Sequence, residues 1–184
     1  DDDADGEERA FRRLATAVAK YWVCKRGPHH AYEALECLGG NGYTEDFPLA
    51  RRYREQPVMA VWEGSGNVIA LDVLRAMSRE PQSVEAFDAQ VGLSRGASAP
   101  LDAHLDRVRR HWRTLATLDA DQAQAQARRV VEDMALALQA SLLVRFAPSA
   151  VAEAFVGARL GDERGSQYGV LSAGADTGSI LARA

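Results

Sequence analysis

Two segments of the 184-residue chain combine residue types that chemistry needs. LGGNGY runs from Leu38 to Tyr43, and WEGSGN from Trp62 to Asn67. Glycine at 39, 40 and 42 clears side chains from a turn, so backbone N–H groups can approach a ligand closely, a phosphate above all. Glu63 stands next to the indole of Trp62. In a partly apolar pocket, desolvation raises a carboxylate pKa towards the working pH and makes it a general base. Each pattern has a structural alternative. The glycines can be a helix stop followed by a wide turn. Glu63, two residues before the N-cap candidate Ser65, is favoured there by the helix dipole alone. A dinucleotide-binding strand–loop–helix does not fit the first segment, because a helical pattern precedes Gly39 and Tyr43 to Pro48 has none.

Other candidates are weaker. His29 and His30 are adjacent and face different directions, and His104 and His111 are seven residues apart, too far to chelate one ion, so no metal site is expected. Cys24 and Cys37 form no metal spacing with each other or with histidine. A reducing compartment, the cytoplasm, is therefore the expectation. Arg107, Arg109, Arg110 and Arg113 form the densest basic cluster, but Asp102 and Asp106 flank it, which favours a solvated helix with ion pairs.

The elements that must carry these residues are helical. Phe11, Leu14, Ala15, Val18 and Trp22 recur at helical spacing, and Gly27-Pro28 predicts a break before a second helix that Gly39 stops. A short turn over Leu49 to Glu55, ended by Pro57, leads to a helix from about Gly66 to Ser78, capped by Ser65, with Val68, Ile69, Val73 and Leu74 inward. Residues 79–99 read as a connector with a helix over 82–91. Leu101, Leu105, Val108, Trp112 and Leu115, and then Ala127, Val131, Met134, Leu138 and Ser141, predict two long antiparallel helices, the second capped by Asp119 or Asp121. Pro148 opens a further helix that Gly161 closes, and a short helix is expected near the end of the glycine-rich tail. No strand alternation is convincing, so the fold class is all-α, a helical bundle.

With 47% hydrophobic and 26% charged residues the composition is that of an ordinary globular chain. Apolar runs are short, so no membrane span is expected, and no secretory leader pattern opens the chain. The net charge is −4, and residues 76–184 carry −1 of it, which disfavours a large nucleic-acid surface. The acidic start without Met reads as part of a longer protein. Only Lys20 and Lys25 are lysines among the 22 basic residues, a bias that reads as genomic.

The stretch within Ala31 to Met77, EALECLGGNGYTEDFPLARRYREQPVMAVWEGSGNVIALDVLRAM, resembles the C-terminal helical domain of acyl-CoA dehydrogenases, most of all their alkylation-response branch. LATAVAKYWVCKR before it and FVGARLGDERGSQYGVL after it resemble that branch too. The resemblance implies a bundle in two parts. Residues 1–78 would be the C-terminal part of the dehydrogenase helical domain, and 79–184 an additional helical extension. It also implies bound FAD and an acyl-CoA substrate. Glu63 would take the α-proton while the β-hydride goes to the flavin, giving a 2-enoyl-CoA, and an electron-transfer flavoprotein would receive the electrons. Gly39, Gly40 and Gly42 match the loop that approaches the FAD diphosphate, often that of a neighbouring subunit in a dimer or tetramer. Ser65 and Asn67 match FAD-contacting positions, and Trp62 an aromatic position beside the base, near the thioester.

Arg54 matches a basic position with no expected cofactor contact, and Glu36 stands where the family commonly has Gln. The family's other domains have no counterpart in these residues, so this chain alone is expected to be inactive. Two further readings stay open: a flavoprotein whose extension binds nucleic acid, and a helical assembly module.

Overall fold

The structure, a computed structural model, describes residues 2–62, 64–162 and 164–183, and among them it contains helices and no strand. In chain order these are α1 (Asp2–Cys37), α2 (Gly40–Tyr43), α3 (Pro48–Met59), α4 (Gly66–Arg79), α5 (Pro81–Gly92), α6 (Ala99–Leu115), α7 (Ala120–Phe146), α8 (Ser149–Leu160) and α9 (Thr177–Leu181).

The expected break at Gly27-Pro28 is absent: α1 is one helix of 36 residues with Pro28 inside it. An interior proline loses one backbone hydrogen bond and costs about 3 kcal/mol. Packing of α3 on both sides of the proline offsets this. The thiol of Cys24 donates to the carbonyl of Met59 at 3.0 Å, Gly27 faces Gln56, and the rings of Tyr32 and Tyr53 lie 6.1 Å apart. The same support extends α3 through Pro57 to Met59, beyond the short turn that the sequence suggests.

One apolar core joins the helices. Leu14 and Val18 of α1 meet Ile69, Ala70 and Val73 of α4, Phe87 and Val91 of α5, and Val131 and Met134 of α7. Both predicted long seams are inward, with Leu101, Leu105, Val108, Ala127, Val131, Met134 and Ser141 buried. Asp119 caps α7 in a reciprocal box with Gln122: its carboxylate accepts from the Gln122 N–H at 2.8 Å. Two expectations change. Val68 is half exposed rather than inward, because it sits at the edge of the α4 stripe. The helix expected over 82–91 is present as α5, but it is core rather than part of a connector: Phe87 is fully buried, 6.1 Å from the ring of Phe11 and 6.3 Å from that of Trp112.

His104 illustrates a core histidine. It is 2% exposed, its Nε2 lies 2.8 Å from the Asp133 carbonyl, and its Nδ1 faces the Arg107 guanidinium. Guanidinium can only donate, so Nδ1 accepts and Nε2–H donates, the neutral tautomer. On α6, Arg109 pairs with Asp88 at 2.8 Å and Arg107 lies 3.6 Å from Asp133, so half of the four-arginine cluster is ion-paired.

Candidate functional site

The three glycines of the first loop meet three different demands. At the end of α1 the N–H of Gly39 donates to the Glu36 carbonyl at 2.9 Å, and Gly39 takes φ +54°, a conformation that disfavours a side chain. Gly42 is buried against α1: a Cβ there would lie 2.0 Å from the carbonyl oxygen of Leu35. Gly40 is exposed, lies in the single turn of α2 and has open space where a Cβ would go. Packing thus explains Gly42, backbone conformation explains Gly39, and neither explains Gly40.

Two neighbours of this loop have settled partners. Glu36 accepts a hydrogen bond from the Tyr32 hydroxyl at 3.1 Å, one turn back along α1, and this carboxylate pushes the Tyr32 pKa up. Arg54 of α3 holds Glu45 through two bonds of 2.5 and 2.9 Å, which keeps the Glu45 carboxyl below its usual range and ties residues 44–47 to α3.

The second loop begins where α3 ends. Two donors from α1 converge on the Met59 carbonyl, the Lys20 ammonium at 2.8 Å and the Cys24 thiol at 3.0 Å. The Trp62 N–H donates to the Val58 carbonyl at 3.0 Å. Glu63 lies outside the described residues. Gly64 has φ +114°, and Ser65 occupies the N-cap position of α4 in an extended conformation, but its hydroxyl makes no capping bond. Asn67 is exposed in the first turn. Gly66 is buried beneath Lys25, whose Cε would be 2.2 Å from a Cβ there, with Arg128 of α7 at 3.4 Å. Two cations therefore flank the positive end of the α4 dipole, an arrangement that attracts an anion.

Lys20 and Lys25 are neighbours of this region that the sequence reading did not place at either loop. They are the two lysines beside twenty arginines; Lys20 holds the last carbonyl of α3, three residues before Trp62, and Lys25 covers Gly66.

The apolar run ahead of Glu63 faces outward. Val58, Met59, Val61 and Trp62 are 43%, 53%, 69% and 70% exposed. Contiguous apolar surface of this kind marks a face that something else covers. The two loops themselves are kept apart. They lie at opposite ends of α3, whose 12 residues rise about 18 Å. Gly39, Gly40 and Gly42 are thus not brought together with Trp62, Ser65 and Asn67, and none of them lines any of three surface clefts of about 770, 760 and 1010 Å³.

Residues 2–78 match the family model described as acyl-CoA dehydrogenase, C-terminal domain. The AidB protein of Escherichia coli (strain K12) is 51% identical over 77 residues, which are 42% of this chain and 14% of that protein. Acyl-CoA dehydrogenase family member 11 of Caenorhabditis elegans is 39% identical over 84 residues, 46% of this chain and 14% of the relative. The chain therefore spans about a seventh of the length of these relatives. The crystal structure of Caenorhabditis elegans ACDH-11 in complex with C11-CoA superposes with a TM-score of 0.68 at 27% identity, over 82% of this chain and 28% of that one. This structural likeness reaches well past residue 78, so helices of the following segment share that fold with the acyl-CoA dehydrogenase domain. Among the described residues no helix is long and apolar enough to cross a membrane.

Proposed function

We propose that this chain is the C-terminal part of an FAD-dependent acyl-CoA dehydrogenase, with residues 1–78 completing the dehydrogenase helical domain and 79–184 forming an extension. The observation that carries the reading is the exposed apolar run Val58–Trp62 inside the family-matched segment, immediately before Glu63. A dehydrogenase needs a dry wall beside its base, and the exposed apolar run next in sequence to Glu63 supports such a wall, one that other domains would cover.

The residues present fit FAD. Gly40 leaves open space at an exposed turn, the Ser65 hydroxyl is uncommitted, and Lys25 and Arg128 bias the start of α4 towards anions. In this reading Gly39, Gly40 and Gly42 face the diphosphate, and Ser65 and Asn67 face the rest of the cofactor. The distance between the two loops supports their serving different copies of the cofactor, and so a homo-oligomer. Bound FAD supplies the acceptor for the β-hydride of the acyl-CoA. Glu63 takes the thioester α-proton, and the Trp62 indole shields the carboxylate from water, which raises its basicity. The product is a 2-enoyl-CoA, and an electron-transfer flavoprotein is the expected electron acceptor.

Anaerobic mixing of the longer, FAD-loaded protein with acyl-CoA tests this reading. Bleaching of the flavin absorbance is expected, slowed about 10²–10⁴-fold in Glu63→Gln. Unchanged bleaching in that variant removes Glu63 from the role. The 184-residue chain by itself is expected to show no acyl-CoA oxidation.

A further inference from the structure

The cleft of about 770 Å³ lies between α1, α6, α7, α8 and residues 164–166. Six guanidinium groups line it: Arg26, Arg107, Arg128, Arg129, Arg159 and Arg164. Against them stand the carboxylates of Glu132 and Asp133, which leaves a lining charge of +4 in a chain whose net charge is −4.

One of the two carboxylates, Asp133, is already engaged. Asp133 serves Arg107 at 3.6 Å and the His111 ring at 2.9 Å. Arg159 donates to the neutral carbonyls of Gly165 and Gln167, both at 3.1 Å, which fixes its position without cancelling its charge. Arg26 lies over the Tyr168 ring at 4.4 Å, and Arg159 is 5.5 Å from the same ring, so one phenol holds two guanidiniums close together. Burial, followed by the charge of Arg26, lowers the Arg159 pKa, the mark of a cation crowded by a like charge. Arg128, Arg129 and Arg164 have no ion pair among the described residues.

Holding six cations from five chain segments around one cavity is unfavourable unless an anion relieves it. Guanidinium forks match phosphate oxygens in pairs. A single phosphate leaves most of the charge uncompensated, whereas a chain of phosphates matches +4. The volume lies within the range of small-molecule sites, and Trp22 and Leu136 supply an apolar wall. We propose that the arginine cleft between α1, α6, α7 and α8 binds an oligophosphate of the size and charge of a nucleoside triphosphate. None of Gly39, Gly40, Gly42, Trp62, Ser65 and Asn67 lines the cleft; Arg128 alone is shared with the start of α4, so the test variant is placed at Arg129 instead.

Calorimetric titration of the full chain with ATP, with adenosine as the uncharged control, tests the proposal. Saturable one-to-one ATP binding that weakens as salt rises is expected. Arg129 is exposed on α7, so Arg129→Glu leaves the fold intact while lowering the lining charge by two, and it should weaken ATP roughly tenfold or more. Arg12→Glu, in the separate basic groove between α1 and α4, is the control for general charge and should leave the affinity unchanged. The proposal is overturned if no saturable binding occurs, if adenosine binds as well as ATP, or if both variants weaken ATP equally.

Discussion

Replacing each glycine of the 39–42 turn by alanine separates what the fold requires from what a ligand would require. At Gly42 the new Cβ would sit 2.0 Å from the Leu35 carbonyl oxygen and 2.9 Å from its carbon. That oxygen distance is roughly 1.5 Å short of van der Waals contact, and the obstacle is backbone in the last turn of α1 rather than the end of a side chain. Relief means lifting α2 from α1, at about 1–3 kcal/mol for overpacking of this kind. Gly39 meets no atom but holds φ +54° and ψ −135°, so Gly39→Ala should cost about 1–3 kcal/mol through backbone strain. At Gly40 the Cβ meets nothing and φ is not positive, so alanine should stabilise the chain by about 0.4–1 kcal/mol through the unfolded state. Urea unfolding of the three variants reads the order directly. A Gly42→Ala chain as stable as wild type, or a Gly40→Ala chain less stable than it, refutes the geometric account of this turn. The functional half follows in the longer protein: Gly40→Ala should lower FAD retention while stability holds. Full FAD content in that variant would take Gly40 out of the proposed diphosphate contact.

Phe87→Ala should destabilise the chain by about 3–5 kcal/mol, measured by urea denaturation, because the ring is fully buried between Phe11 and Trp112; a loss below about 1 kcal/mol would return α5 to the status of a linker. Asp119→Ala removes the capping box at α7 and should cost about 1 kcal/mol, and an unchanged urea midpoint would show the cap to be idle. Burial, foremost, and then the nearby Arg107 charge hold the His104 pKa below its ordinary value. A histidine depressed in the folded chain contributes stability that is present above about pH 6.5 and is lost as pH falls through the folded pKa. The urea midpoint should therefore drop between pH 7 and pH 5, and His104→Gln should flatten that drop; equal slopes in both chains would contradict the assignment.

The parts of the fold that were legible in the sequence are those where periodicity is long and uninterrupted. The α6 and α7 seams repeat at three and four over several turns, and each predicted position is inward or packed against the core. Asp119 was legible because a cap needs only local chemistry. The misread elements share a different cause, since each is decided by a partner that local spacing does not reveal. Pro28 ends a helix when nothing supports the weakened turn, and here α3 supports it. The helix of α5 is expected from its short stripe, but the Gly-, Ser- and Pro-rich stretch after it makes the segment read as a connector until Phe11 and Trp112 are seen to close on Phe87. The glycine loop and the WEGSGN loop were recognisable from their residues. Their separation was not, because it depends on α3 folding back along α1, which no spacing in either loop encodes.

That separation constrains any mechanism more tightly than the motifs do. If both loops touched one flavin in one subunit, a single helix of 12 residues would have to lie within that ligand's span while packed along α1 from Cys24 to Tyr32. The packing fixes α3 as a rigid spacer, with Lys20 and Cys24 gripping its last carbonyl and Arg54 tying the preceding loop to its middle. Gly39 and Gly40 at one end and the apolar run at the other then face outward on a scaffold that cannot bring them together. In the proposed reading each end completes a different site. A change that loosens the spacer should therefore disturb both ends at once, whereas a change within either loop should stay local.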